Sequence, residues 1–212
     1  MCVWGGPARN EGAARGRAPL PRTGPQRYAA VGVPRDQDII AVVEAIEDET
    51  KRAEAWSAID AVEAEAAETM VLMEGAAELV RFLHDHNVPM ALVTRNSRTS
   101  IDLFEARCWS PHGLPPLQPT LCRRWGGPPK PAPDPLLHIA RTWGVPIEHT
   151  LMVGDSPSND VAAGKAAGSM TALVDSDRRH FESPSASLRS SPPDFHVSAL
   201  AQLIPQLQAR LV

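Results

Sequence analysis

Two carboxylates follow a short apolar segment in the stretch "LMVGDSPSNDVAAGKAAG", residues 151–168. Asp155 comes directly after the apolar run, and Asp160 lies at the start of a segment rich in small residues. Carboxylates gathered at a strand end repel one another unless a cation lies between them, and hard oxygen ligands near a phosphate favour Mg²⁺. The stretch therefore predicts one half of a phosphate-handling site. The alternative is that Asp160 or Asn159 merely caps the following helix.

Two other loops carry residues that could bind a phosphate. Thr94 ends the apolar segment "MALVT" and is followed by Arg95 and Asn96. A hydroxyl at a strand end, beside the N–H groups of a helix start, can cradle phosphate oxygens. Lys130 lies between prolines that restrict its backbone, so it could present a cation rigidly to the same phosphate. The ordinary alternatives are a helix cap at Asn96 or Ser97 and a solvated surface lysine.

Alternating apolar and helical segments position these loops. We predict strands over residues 90–94, 150–155 and 170–175, with a last short strand at "FHV" from Phe195. Helices are predicted over 75–86, 97–107, 134–143, 159–167 and 198–211, and proline-rich loops reach residue 131 and cover 183–193. Continuously apolar strands between helices indicate an α/β fold, with a parallel sheet covered on both faces. Function in such a fold lies at the carboxyl ends of the strands.

The first third of the chain has a different composition. Residues 36–68 are rich in Ala and Glu, with apolar positions such as Trp56, Ile59 and Val62 at helical spacing, which predicts a pair of helices. Residues 1–35 are rich in Gly, Pro, Ala and Arg, contain Glu11 as their single acid, and are expected to be mostly disordered. An Arg-rich, acid-poor start is also found in organelle transit peptides.

Composition excludes several classes of protein. The chain has 212 residues, 43% of them hydrophobic, which suits one globular domain. Its net charge of -4, with no dense run of Lys or Arg, argues against a nucleic-acid partner. The three cysteines are widely separated, which argues against a disulfide framework or a zinc site, and no segment is apolar enough to cross a membrane. We expect a cytoplasmic protein, with the chloroplast or mitochondrion as the alternative; the pattern leaves the oligomeric state open.

In their order along the chain, the loops at residues 94–96, at Lys130 and at 155–160 resemble motifs II, III and IV of the haloacid dehalogenase (HAD) superfamily of hydrolases, which are mostly phosphatases. The segments "VTRNS", "KPAPDPLLHIA" and "MVGDSPSNDVAAGKAAG" carry the resemblance, which covers about residues 70–180 and is nearest to plant and algal HAD-like hydrolases. It implies a Rossmann-like parallel sheet with helices on both faces and a small helical cap. Residues 36–70 would form the cap, and 71–212 the core.

The resemblance also implies roles for the loop residues. Thr94, within the phosphate-binding loop 94–96, would bind the phosphoryl group, and Lys130 would be the catalytic lysine that stabilises both the nucleophile and the phosphate. Asp155 and Asp160 would hold Mg²⁺. The implied function is that of a Mg²⁺-dependent phosphatase acting on a small phosphorylated metabolite.

One motif of the family is missing. Family members begin with an apolar strand ending in DxD, whose first Asp attacks phosphorus and whose second acts as acid and base, yet no aspartate precedes Asp36 here. A strand at 28–33 followed by Asp36 and Asp38 could be a displaced version, but a helix start capped by Asp36 explains these acids better.

The missing motif affects both structure and activity. In the family its strand lies between the strands that here end at Thr94 and Asp155. Either residues 1–35 supply a substitute, most plausibly at 28–33, or the chain is an incomplete version of a longer protein. Loss of a covalent nucleophile can cost on the order of 10⁶ in rate. A non-catalytic HAD-like protein that binds a phosphate ligand or a protein is therefore the alternative function, and an unrelated α/β binding domain is a third.

Overall fold

The computed structural model describes residues 2–3, 23–34 and 37–210. The strands in these ranges are β1 (Cys2–Val3), β2 (Leu92–Val93), β3 (Thr120–Leu121), β4 (Leu151–Gly154), β5 (Met170–Val174) and β6 (Phe195–Val197). The α-helices are α1 (Thr23–Ala30), α2 (Ile39–Glu44), α3 (Glu49–Glu68), α4 (Ala76–Asp85), α5 (Arg98–Phe104), α6 (Asp134–Trp143), α7 (Ala162–Ala167), α8 (Arg179–Glu182), α9 (Ala186–Ser190) and α10 (Leu203–Gln208). Single turns of π-helix cover Glu105–Trp109 and Pro157–Val161, and 3₁₀ turns cover Ser110–His112, Ile147–His149 and Leu200–Gln202.

All strand pairs in the described residues are parallel. One sheet has the order β1-β4-β5-β6, and β2 pairs with β3 in a second, two-stranded sheet. Because β1 also contacts β2, it lies between β2 and β4. The carboxyl ends of β2 and β4 therefore meet at one edge, as the predicted α/β architecture requires.

Apolar side chains cover both faces of the sheet. Adjacent residues of a strand point to opposite faces. Accordingly Val153 packs in a cluster with α4, α5 and α10, whereas Met152 packs in another with α6 and α7. Leu79 and Leu203 on the first face and Ile139 on the second are almost completely buried. The predicted Rossmann-like sheet with helices on both faces is confirmed.

The place of the central strand is taken by β1. Cys2 pairs with Met152 and Val3 with Val153 in parallel register. The segment 28–33 is not a strand, because its first residues end α1, which packs on α3. Residues 1–35 thus do supply a substitute strand, as predicted. It lies at residues 2–3, however, and not at the predicted position 28–33. In the sequence, Val3 is followed by Trp4, Gly5 and Gly6, and the first acidic residue is Glu11.

Helices α1, α2 and α3 share a small core. Ile39 and Val43 of α2 pack against Trp56 and Ile59 of α3, and Tyr28 of α1 joins them. The predicted pair of helices over 36–68 is confirmed. Helix α1, however, lies within the segment that the composition led us to expect as mostly disordered. The rest of that segment, residues 1 and 4–22, lies outside the described residues.

Three short elements were not predicted from the sequence. Strand β3 lies in the proline-rich loop before residue 131, and α8 and α9 lie between β5 and β6. A two-residue strand has no readable period, and β3 is defined only by its pairing with β2. Within the described residues Cys108 and Cys122 are free thiols. The described part of the chain has no helix with the length and apolarity needed to cross a membrane.

Candidate phosphate-binding site

A cleft of about 190 Å³ lies between the carboxyl edge of the sheet and the helices α1 to α3. The structure brings the predicted residues of all three loops together on its wall, since residues 94–96, Lys130, Asp155 and Asp160 all line it. Other residues complete the wall: Arg27, Tyr28, Ile39, Ile40, Trp56, Ile59 and Glu63 from the helical side, and Arg123, Ser156 and Asn159 from segments that follow strands. Residues far apart in the chain thus meet at the edge where parallel sheets bind ligands.

Lys130 is held inside the protein by two acceptors. Its Nζ lies 2.6 Å from Asp160 Oδ1 and 2.8 Å from the carbonyl oxygen of Val93. Both charged side chains are buried, with 4% and 3% of their surface exposed. The alternative of a solvated surface lysine is therefore wrong. An ammonium group has three N–H donors, so one remains for a ligand in the cleft.

A single π-turn sets the direction of Asp160. In this turn, over Pro157–Val161, the N–H groups of Asp160 and Val161 both donate to the carbonyl of Ser156. The Asp160 side chain folds back, and its Oδ2 accepts the N–H of Ser156 at 3.0 Å. A Cβ atom on Gly154 would overlap this carboxylate, so the close approach requires glycine there. Asp160 does not cap its helix: Ser156 Oγ does so, by accepting the N–H of Asn159.

Asp155 follows β4 and is half-buried at the cleft. Burial and the neighbouring Asp160 carboxylate raise its pKa to about 6, against the opposing charge of Lys130. Two carboxylates this close are a donor set that a divalent cation would stabilise. Both oxygens of Asp160 are engaged within the protein, however, which leaves Asp155 as the better placed ligand. Within the described residues no group of three or more His, Cys, Asp or Glu side chains could hold a metal ion.

The loop 94–96 forms a turn rather than a simple helix cap. Thr94 is buried, and its Oγ1 accepts the N–H of Asn96 at 3.2 Å. Ser97 is the N-cap of α5, since its Oγ accepts the N–H of Ser100. The Asn96 side chain is thereby left to accept from Arg27 Nη1 at 3.2 Å. The helix-cap alternative holds for Ser97 and not for Asn96.

Arg95 links the core to α2. Its Nη1 donates to Asn159 Oδ1 at 2.7 Å and its Nη2 to Asp38 Oδ1 at 2.5 Å, while its buried Nε has no partner among the described residues. Asp38 also caps α2 by accepting the N–H groups of Ile40 and Ala41. Burial alone would raise the pKa of Asp38, but these N–H groups and the Arg95 charge outweigh it and hold the pKa below its usual value.

Only one acidic residue of the possible displaced DxD lies within the described residues. Asp38 is the N-cap of α2, so a helix start explains the acidic residues there, with the cap at Asp38 rather than at Asp36 as we had expected. Asp36 itself lies outside the described residues.

The sequence did not single out Glu63, which organises the helical side of the cleft. Its Oε1 accepts from Arg123 Nη2 at 2.7 Å and from Arg27 Nη1 at 2.9 Å. Its Oε2 accepts from the N–H of Ser97 and the hydroxyl of Ser100, each at 2.9 Å. A buried carboxylate is thus fully hydrogen-bonded, and it joins α1, α3 and the loop before α5.

A sequence signal for Glu63 did exist. Residues 56, 59 and 63 have the spacing of one helix face, although the apolar pattern itself continues through Val62. In the structure Val62 is half-buried and Glu63 is buried. A charged residue on an otherwise apolar face indicates a buried partner, here Arg123, whose guanidinium also lies 4.6 Å from the centre of the Trp56 ring.

Comparison with known proteins identifies the family of the chain. The family model of the haloacid dehalogenase-like hydrolases matches residues 9–168. A haloacid dehalogenase-like hydrolase domain-containing protein of Arabidopsis thaliana is 36% identical over 153 residues, which are 72% of this chain and 60% of that protein. An uncharacterized hydrolase of Saccharomyces cerevisiae is 31% identical over 157 residues, 74% of this chain and 71% of that protein. The chain thus spans less than two thirds of the length of the plant relative.

Solved structures show the same fold. A HAD hydrolase of family IA, variant 3, from Entamoeba histolytica superposes with a TM-score of 0.67 at 17% identity, covering 89% of each chain. With the family model matched over most of the chain and the two relatives above, the comparisons and the fold lead to one conclusion: the chain belongs to the haloacid dehalogenase-like hydrolases.

Proposed function

We propose that this chain binds a small phosphate monoester together with Mg²⁺ in the cleft at the carboxyl edge of the sheet. The observation that carries the proposal is the meeting of a buried lysine, a buried threonine and two carboxylates from three separate loops on one wall. Cations and N–H or O–H donors complement phosphate oxygens, and carboxylate oxygens complement Mg²⁺.

Each residue has a proposed task. Lys130, pinned by Asp160 and the Val93 carbonyl, offers its third N–H to a phosphate oxygen and stabilises negative charge there. Residues 94–96 form the rest of the phosphate cradle. Asp155 is the principal ligand for Mg²⁺, and Asp160 the second. When bound, Mg²⁺ supplies positive charge that offsets the phosphate charge.

The proposed site is that of a Mg²⁺-dependent phosphatase, but this chain lacks the covalent nucleophile that the reaction needs. The specific observation is at β1, which occupies the central position in the sheet and is followed in the sequence by Trp4, Gly5 and Gly6, none of them acidic. The chain as given should therefore bind phosphate and not turn it over. This observation equally favours the alternative function, a non-catalytic phosphate-binding member of the family.

A calorimetric titration tests the binding proposal. Inorganic phosphate and Mg²⁺ are titrated into the chain, separately and together, and into the variant Asp155→Asn. We expect the variant to bind Mg²⁺ at least tenfold more weakly. Asp102→Asn is the matched control, because Asp102 is an exposed carboxylate paired with Arg98. Equal Mg²⁺ affinity in the chain and in Asp155→Asn would rule out the assigned ligand.

A second experiment separates the two functions. A family-type N-terminal segment carrying "DxDGT" replaces residues 1–10, and phosphate release from a panel of phosphate esters is measured for the chain and the fusion. We expect release at the no-enzyme rate from the chain and Mg²⁺-dependent release from the fusion. Robust activity of the unmodified chain contradicts the missing-nucleophile argument, and a folded but inert fusion favours the non-catalytic function.

A further inference from the structure

The two sides of the cleft differ in chemistry. The sheet side carries the polar residues already described. The side formed by α1, α2 and α3, here called the cap side, is mainly apolar. Its apolar members belong to the small core shared by α1, α2 and α3, and they are Tyr28, Ile39, Ile40, Trp56 and Ile59. Whatever is attached to a phosphate in this cleft must therefore lie against apolar side chains.

The polar groups on the cap side are used within the protein. The guanidiniums of Arg27 and Arg123 both donate to Glu63, and Arg123 also donates to Asp60 at 3.3 Å. The hydroxyl of Tyr28 donates to the carbonyl of Gln37 at 3.0 Å. The oxygens of Glu63 already accept four hydrogen bonds, so a ligand hydroxyl buried on this side would have to displace one of them to donate its own proton, and a buried hydroxyl proton without an acceptor is costly.

Charge and size narrow the ligand further. The positive charges of Arg27 and Arg123 are balanced by the carboxylates of Glu63 and Asp60. This balance does not favour a second anionic group on the ligand. The cleft of about 190 Å³ is also smaller than the roughly 300–1,000 Å³ of sites for drug-sized ligands. Both features favour a compact, uncharged organic group beside the phosphate.

We propose that the ligand of this site is a phosphomonoester whose organic part is small and apolar, such as a single hydrocarbon or aromatic ring, rather than a polyol. The inference rests on the proposed function, because it takes the phosphate to be bound at the sheet side. Ile40 is the half-buried cap residue that contributes an aliphatic surface to the cleft.

The test compares ligands that share one ring skeleton. Binding of inorganic phosphate, cyclohexyl phosphate and myo-inositol 1-phosphate to the full chain is measured by calorimetry with Mg²⁺ present. We expect cyclohexyl phosphate to bind about tenfold or more tightly than myo-inositol 1-phosphate, because each buried unpaired hydroxyl costs about a factor of ten. Inorganic phosphate reports on the proposed function alone.

A matched pair of variants locates the effect. Ile40→Thr should weaken the binding of cyclohexyl phosphate by at least about fourfold, because it removes one methyl group and replaces a methylene by a hydroxyl, and it should leave inorganic phosphate unchanged. Val42→Thr, at a half-buried position of the same helix away from the cleft, should change neither. If myo-inositol 1-phosphate binds as tightly as cyclohexyl phosphate while inorganic phosphate binds, the inference is wrong and the proposed function stands. If no phosphate compound binds, both are wrong.

Discussion

Replacing Glu63 by alanine should strongly destabilise the packing of α1 and α3 against the rest of the protein. Glu63 has 2% of its side chain exposed, and its partners Arg123 and Arg27 have 6% and 18% exposed. The substitution leaves these guanidiniums without their shared carboxylate and removes the acceptor of the Ser97 N–H. Breaking a buried ion pair by removing one partner typically costs about 3–5 kcal/mol.

Urea unfolding followed by tryptophan fluorescence measures this cost. About 3–5 kcal/mol is a large share of the about 5–15 kcal/mol that stabilises a typical domain, so the transition should move to clearly lower urea. Glu65→Ala is the control, because Glu65 is an exposed carboxylate on the same helix and its loss should change the free energy of unfolding by less than about 0.5 kcal/mol.

A double variant distinguishes lost charge pairing from lost packing. In Glu63→Ala/Arg123→Leu, the more deeply buried of the two guanidiniums that lose the Glu63 carboxylate is itself removed. The double variant should then be destabilised by less than the sum of the two single variants, with an interaction of about 0.5–3 kcal/mol. Two results would contradict this reasoning: Glu63→Ala is as stable as Glu65→Ala, or the effects of Glu63→Ala and Arg123→Leu simply add. Either would show that the buried ion pair of Glu63 does not stabilise α3 in its place.

Two further predictions concern Asp194 and Gly154. Burial alone would raise the pKa of Asp194, but hydrogen bonds from Lys165 and Thr171 hold this pKa below its usual value. The contribution of the Asp194 charge to stability is therefore complete above the unfolded-state pKa and is lost as the pH falls through the lower folded-state pKa. Because 37% of the Asp194 side chain is exposed, solvent screens its charge, and Asp194→Asn should lower the free energy of unfolding by about 1 kcal/mol or less at pH 7, with a difference from the parent that shrinks below about pH 4; a difference independent of pH would show that the charge is not involved. Gly154→Ala should cost about 1–3 kcal/mol, because the added methyl overlaps the Asp160 carboxylate, and phosphate should bind more weakly as Lys130 shifts; an unchanged melting temperature and phosphate affinity would contradict this.

Local patterns in the sequence were enough to predict most of the elements. The strands at "TLMVGD" and "MTALVD" and the helix over 134–143 were correct because each is a continuous apolar or amphipathic segment with clear ends. The order of the three loops was enough for the family, and a parallel sheet brings successive strand ends to one edge. Their meeting in one cleft therefore followed from the order of elements alone.

Other features depend on contacts between distant residues, which no local pattern records. The central strand β1 exists only through its pairing with β4, and two residues have no period to detect. The burial of Lys130 depends on Asp160 and the Val93 carbonyl, which lie 30 and 37 residues away in the chain. In the same way, the sequence places Glu63 on a helix face, but only the packing of α1, α5 and the loop after β3 against that face supplies the arginines and serines that make a buried carboxylate stable. An isolated buried charge would be too costly to keep.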